Sequence, residues 1–289
     1  MTADEGAHRL PDEERQFVLT GFADEIAPDL ETQLDVLEDL GISHLDLRNV
    51  DETNVLDFDE EMVESVTETL DRRGFSVSSI GSPIGKIDVT DDFEPHLRDF
   101  DRIIELADAF DTENIRLFSY YIPDGDDPAT HRDEVVRRMR TKVERAADAG
   151  VTLLHENEKD IYGDTPERCR DLHATIDSPH FRAIFDPANY LEIGVQAYPD
   201  ALLQVVEFVD YLHIKDAKFG ERGEMRPAGE GDGNIEGLLR TMRARGFHGF
   251  ASLEPHLLHA GERDGYSGPD GFTEATMALK AIIDRIEGA

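Results

Sequence analysis

Short apolar runs alternate with longer amphipathic stretches along nearly the whole chain, and this alternation predicts the architecture. The run FVLTGFADEI (17–26) precedes PDLETQLDVLEDLG (28–41), where Leu30, Leu34, Leu37 and Leu40 fall on one helical stripe and Gly41 stops it. ISHLDLRNV (42–50) leads to EEMVESVTETLDRRG (60–74), FSVSSIGSPIG (75–85) to EPHLRDFDRIIELADAF (94–110), and NIRLFSYY (114–121) to RDEVVRRMRTKVERAADAG (132–150). The second half keeps the rhythm. VTLLHENE (151–158) leads to TPERCRDLHATID (165–177), FRAIFDPANY (181–190) to YPDALLQVVEF (198–208), VDYLHIKDAK (209–218) to IEGLLRTMRARG (235–246), and GFASLEPHL (249–257) to a last helix over about 272–286. Eight strands, each followed by a helix, predict a single (β/α)8 TIM barrel over residues 17–289 behind a polar leader of residues 1–16. A doubly wound open sheet fits less well, since no G-x-G-x-x-G follows the first strand. The helices before strands two, five and eight end in Gly41, Gly150 and Gly246, a residue type that tolerates the left-handed C-cap.

The 289 residues suit one such barrel, which typically takes about 250. No run approaches the ~20 apolar residues that span a bilayer, and the start MTADEGAHRLPDEERQF lacks the basic-then-apolar order of a signal peptide, so a cytoplasmic protein is expected. Cys169 is the single cysteine, which excludes an intrachain disulfide and cysteine-based metal clusters; its helical context reads as packing. The 64 acidic residues outnumber 29 basic ones, and the net charge of -35 is spread along the chain. Such a surface repels phosphate backbones and anionic membranes, so neither nucleic acid nor membrane is an expected partner. A 39% hydrophobic content in regular blocks argues for a packed fold rather than disorder. Basic charge is almost all arginine, and an acidic, lysine-poor chain is what high salt favours, where a Debye length of about 3 Å at 1 M screens self-repulsion. A halophilic origin is therefore expected.

In a barrel of this kind the reacting groups sit where strands end and loops begin. The last four strands each place a metal-binding residue type there: Glu156 in LLHENE, Asp186 in AIFDPANY, His213 in YLHIKD and Glu254 in ASLEPH. Their separations of 30, 27 and 41 residues each match one barrel repeat, so consecutive strands bring the four heads to one rim. Three carboxylates and one imidazole make an oxygen-rich set suited to Mn2+, Mg2+, Co2+ or Zn2+. Without a cation, the crowded carboxylates repel one another, which is the physical case for a metal.

The motifs GFADEI, SPIGK, HENE, FDPAN, HIKDAK, GEGDGNI and SLEPH, spread over residues 17–286, resemble those of the xylose isomerase-like TIM-barrel superfamily. That group of sugar phosphate isomerases and epimerases includes ketose 3-epimerases, inosose dehydratases and endonuclease IV. The resemblance implies one divalent metal held by Glu156, Asp186, His213 and Glu254, with Glu156 and Glu254 as the acid/base pair. It implies an isomerase or epimerase that acts through an enediolate on a sugar, sugar phosphate or keto-inositol. Loss of a β-hydroxyl on the same scaffold gives a dehydratase of the inosose or dehydroshikimate type, and a non-catalytic sugar-binding barrel is the reading from another class. Endonuclease IV carries further histidines, one of them where this chain has Asn189; that departure and the net charge count against a trinuclear site and a nuclease. Many ketose epimerases also carry His at the Asn189 position.

Further residues are expected around the pocket. Lys86, Lys159, Lys215 and Lys218 are four of only six lysines and all follow predicted strands, so contact with substrate oxygens or a phosphate is expected of some; Lys215 shares strand parity with His213. Arg116 is expected inside the barrel near Glu156. Glu158 shares parity with Glu156 one step farther out and is the alternative ligand, His155 faces the opposite side, and His256 has the parity of Glu254. Asp216 orients a ligand or Lys, or only begins its loop. The stretch PAGEGDGNI is expected to offer free backbone N–H groups to an anion. A homodimer is left open, since barrels often pair.

Overall fold

The computed structural model describes residues 16–257 and 266–288; apart from Gln16, the leader assigned to residues 1–16 lies outside the described residues. Eight parallel strands form the wall: β1 (Phe17–Gly21), β2 (His44–Leu47), β3 (Ser76–Ile80), β4 (Asn114–Leu117), β5 (Thr152–Glu156), β6 (Phe181–Phe185), β7 (Val209–Ile214) and β8 (Gly249–Leu253). Around the sheet they run β1–β8–β7–β6–β5–β4–β3–β2, and a parallel bridge between Phe22 and Asp46 closes the last gap. The outer layer is α1 (Leu30–Asp39), α2 (Glu60–Arg73), α3 (Phe93–Ala109), α4 (Arg132–Ala149), α5 (Pro166–Ile176), α6 (Pro187–Glu192), α7 (Leu202–Val205), α8 (Ile235–Ala244) and α9 (Gly268–Glu287).

The abundant Asp residues have a local use here. Asp29, Asp59 and Asp92 each cap a helix by accepting a backbone N–H of its first turn, which satisfies donors that have no partner within the helix. Gly41, Gly150 and Gly246 do follow the expected helices with φ of 64°, 75° and 79°. Three boundaries differ from the sequence reading. PANY belongs to α6, not to the sixth strand, because Pro187 at the first helical position and Asp186 at the cap start a helix. YPDALLQVVEF is helical only in pieces, a wide π turn over Ala197–Ala201 followed by α7. The last helix starts at Gly268, earlier than expected.

Two apolar regions support the site. The larger lies between sheet and helices, while Leu154, Ile184 and Tyr211, with Phe250 against them, plug the barrel interior. Strand parity puts that plug one layer below Glu156, Asp186, His213 and Ser252. At the level above it, Asp46 accepts from Tyr211 OH (2.7 Å) and Ser252 Oγ (2.7 Å), with Thr20 and Ser78 alongside. The interior therefore turns from apolar to polar toward the strand ends.

One core group is out of place in an apolar layer. Lys142 of α4 is fully buried, its Nζ has no hydrogen-bond partner among the described residues, and it lies 4.5 Å from the centre of the Tyr120 ring. Burial, with repulsion from Arg138, pushes its amine down to about 7 from 10.5. Between those values the unfolded chain binds more protons than the folded one, so stability rises with pH, at up to about 1.4 kcal/mol per pH unit. Lys142→Met is expected to flatten that slope in urea unfolding followed across the window; an unchanged slope would show that the amine stays charged in the fold.

Candidate metal centre

Glu156 ends β5, Asp186 follows β6, His213 is the penultimate residue of β7, and Glu254 follows β8. Neighbouring parallel strands carry these four residues to one point, where one atom from each lies within 4.8 Å of all the others and every side chain is buried. His213 Nδ1 stands 3.2 Å from Glu156 Oε1, 3.5 Å from Glu254 Oε2 and 4.0 Å from Asp186 Oδ2. Such separations suit donors gathered around one ion with bonds of about 2.0–2.2 Å. Asp186 Oδ2 is buried and has no hydrogen-bond partner among the described residues, as a ligand oxygen would be. Its other oxygen caps α6 by accepting the Asn189 N–H (3.0 Å), which holds the carboxylate in place. The donor set fits a hard or borderline divalent ion.

Cations crowd the same carboxylates. Arg116 Nη1 lies 3.4 Å from Glu156 Oε2 and 3.7 Å from Glu254 Oε1. Arg48 Nη1 donates to Glu254 Oε1 at 3.0 Å while its Nε holds Asp24 at 2.8 Å. Lys215 Nζ lies 3.6 Å from Asp186 Oδ2 and 3.5 Å from Glu254 Oε2. Burial raises the Asp186 carboxyl to about 7, with Glu156 and Glu254 adding to the rise against Lys215 and His213. Burial works against the Glu254 charge as well, but Lys215 and the flanking histidines hold its carboxyl well below the usual carboxylate range. Burial opposes a charged His213, yet Glu156 and Glu254 raise it to about 10.

The structure places most of the expected pocket residues here. Lys215 and Arg116 are in the cluster, Asn189 Nδ2 donates to Glu156 Oε1 (3.3 Å), and His256 stands at the edge beside Glu254. Lys86 is at the rim, 3.3 Å from Glu158 and over the Phe118 ring. Lys218 is not brought in; its Nζ binds Asp232 and the Glu230 carbonyl. Glu158 is likewise outside the four-residue cluster. Burial disfavours its charge, but Lys86, Lys159 and Lys215 draw its carboxyl down to about 2. His155 faces away, against His173 and Phe181, and Cys169 is buried and donates to the Gly163 carbonyl.

The glycine loop corrects one expectation. Its N–H groups are not offered to an outside anion: Asp216 takes those of Gly229 (2.9 Å), Gly231 (3.1 Å) and Gly233 (2.9 Å), besides that of Ala217 (3.0 Å). A Cβ on Gly231 would lie 2.2 Å from Asp216 Oδ1, which is why glycine is needed there. Several residues escaped the sequence reading. Arg48 has the inward parity of Asp46 on β2, which is the signal that marks it; Asn157, which pairs with the Asp186 backbone through both its amide atoms, and Glu25 lie inside the motifs HENE and GFADEI.

A family model described as xylose isomerase-like TIM barrel matches residues 34–281. The chain belongs to that family. It is 27% identical over 184 residues to the 3-dehydroshikimate dehydratase of Bacillus anthracis, a match covering 58% of this chain and 65% of that protein's length. Among solved structures, a D-tagatose 3-epimerase-like protein superposes with a TM-score of 0.76 at 17% identity, covering 94% of this chain and 99% of that one. The IOLI protein with a bound zinc atom does so with a TM-score of 0.76 at 13% identity, covering 93% and 99%. These likenesses show the fold; they lend no support to a halophilic origin, which rests on composition alone. None of the described helices is long and apolar enough to cross a membrane.

Proposed function

We propose that this protein is a divalent-metal-dependent isomerase or epimerase that moves a proton next to the carbonyl of a sugar, sugar phosphate or keto-inositol. The observation that carries the reading is the paired setting of two glutamates. Glu156 and Glu254 each give one oxygen to the four-residue cluster, and one guanidinium, that of Arg116, lies against the other oxygen of both. When bound, the metal supplies Lewis-acid polarisation of a carbonyl and its neighbouring hydroxyl. The protein's own part is to accept a proton at one glutamate and return it from the other, with Arg116 holding the pair in register. Lys215, buried between Asp186 and Glu254, is placed to stabilise negative charge that builds on substrate oxygen. Asn189 and His256 complete the wall on either side.

A dehydratase is the second reading, favoured by the likeness to the 3-dehydroshikimate dehydratase and by three cations, Arg48, Arg116 and Lys215, that suit an acid substrate. The same proton abstraction then ends in loss of a β-hydroxyl as water. Both readings are tested by incubating Mn2+-loaded protein in D2O with ketoses, their phosphates, inososes and 3-dehydroshikimate, followed by mass spectrometry. Under the first reading deuterium is expected at the carbon next to the carbonyl; under the second, loss of water is expected, with no need for deuterium at the carbon that gave up its proton. A metal-loaded protein that binds such a compound and neither exchanges a proton nor removes water from any of them is a binding barrel, and the proposal is wrong.

A further inference from the structure

We propose that Glu25, His256 and the outer oxygen of Glu254 hold a second divalent cation beside the one assigned to Glu156, Asp186, His213 and Glu254. Glu25 lies shortly after β1 and His256 shortly after β8, and those strands are paired in the wall. One atom from each of Glu25, Glu254 and His256 lies within 4.8 Å of the other two. His256 Nε2 stands 3.3 Å from Glu25 Oε1 and 3.6 Å from Glu254 Oε1. Donors about 2.1 Å from a tetrahedral ion stand about 3.4 Å apart, so the spacing fits one ion.

The orphaned atoms point to the same place. Glu25 is fully buried, yet among the described residues its Oε1 has no hydrogen-bond partner, and neither has His256 Nε2. A buried carboxylate oxygen left in that condition is costly and calls for an explanation. The rest of the carboxylate is engaged, since Oε2 accepts the His256 backbone N–H at 2.9 Å and the Ser267 hydroxyl at 2.6 Å. Those two bonds fix the direction of Oε1. His256 itself has φ of 49°, a conformation that costs a non-glycine residue energy and that the bond to Glu25 helps to hold.

Acidic groups gather here as well. Asp24 and Glu254 both pair with Arg48, Arg116 lies 3.7 Å from Glu254 Oε1, and Asp24 Oδ1 is a further buried oxygen without a hydrogen-bond partner among the described residues. Glu254 serves both sides, with Oε2 toward His213 and Lys215 and Oε1 toward His256, Arg48 and, farther off, Arg116. A carboxylate oxygen has two lone pairs, so Oε1 accepts the Arg48 N–H and still has one for an ion. One imidazole and two carboxylates suit Zn2+ or Mn2+ with an open position.

The inference depends on the metal reading of the first cluster only through the shared Glu254. Calorimetric titration of the whole protein with Mn2+ alone, backed by metal analysis after buffer exchange, is expected to find two ions per chain. His256→Ala, at a partly exposed side chain, is expected to leave one, and Glu25→Gln likewise, with thermal melting to show that each variant is folded. Glu156→Gln should weaken the first ion at least tenfold and spare the second. A single ion per chain that responds to Glu156 and not to His256 overturns the second site and leaves the proposed function standing. Two ions in folded His256→Ala also overturn it, and no ion in the wild type overturns both.

Discussion

Glu254→Gln is expected to lower turnover by about 10²- to 10⁴-fold while the protein stays folded, and Glu156→Gln to do the same. An amide keeps the size of the side chain but neither takes up a proton at working pH nor carries the charge that Arg48, Arg116, Lys215 and His213 now surround. The losses should appear in kcat at saturating Mn2+, which separates lost proton transfer from weaker metal binding. Arg116 touches both glutamates, so the two substitutions should be far from additive, the double variant being little worse than either single one. A single variant that keeps more than about a tenth of wild-type kcat under metal saturation would remove that glutamate from proton transfer.

The second large effect is structural. Asp216→Ala is expected to destabilise the protein by roughly 3–5 kcal/mol, because four backbone N–H groups converge on that carboxylate and would lose their acceptor together. Hydrogen bonds to a charged acceptor are each worth about 1.5–3 kcal/mol, and partial access of water to the loop reduces the sum. Asp216→Asn keeps one oxygen and should recover part of the loss. Urea unfolding checks both variants; a change below about 1 kcal/mol for the alanine would mean that the loop finds other acceptors at little cost.

The eight β/α units and the four clustered residues were legible in the sequence. Both are local or near-local properties: strand parity decides which residues face inward, the ends of β5 to β8 must meet on one rim, and Pro, Gly and Asp mark element ends. Where local rules competed, they misled. FDPANY read as a strand end because its apolar run continues past Asp186, whereas Pro187 and the Asp186 cap make it α6. GEGDG read as an anion cradle, and it is one, but the anion is the protein's own.

From sequence alone, then, came the architecture, the acid-rich character and the identity of Glu156, Asp186, His213 and Glu254 as one group. Tertiary structure decided which charges answer them. Arg48 meets Glu254 across 206 residues and Glu25 meets His256 across 231, contacts that exist only because the first strand closes against the last. Glu158 differs from Glu156 by one strand step, yet it is held by Lys86 and Lys159 and stays outside the cluster. Periodicity can state which side of a strand a residue faces, but the partner it finds there depends on how far distant segments are brought together, and charge interactions fall off with that separation.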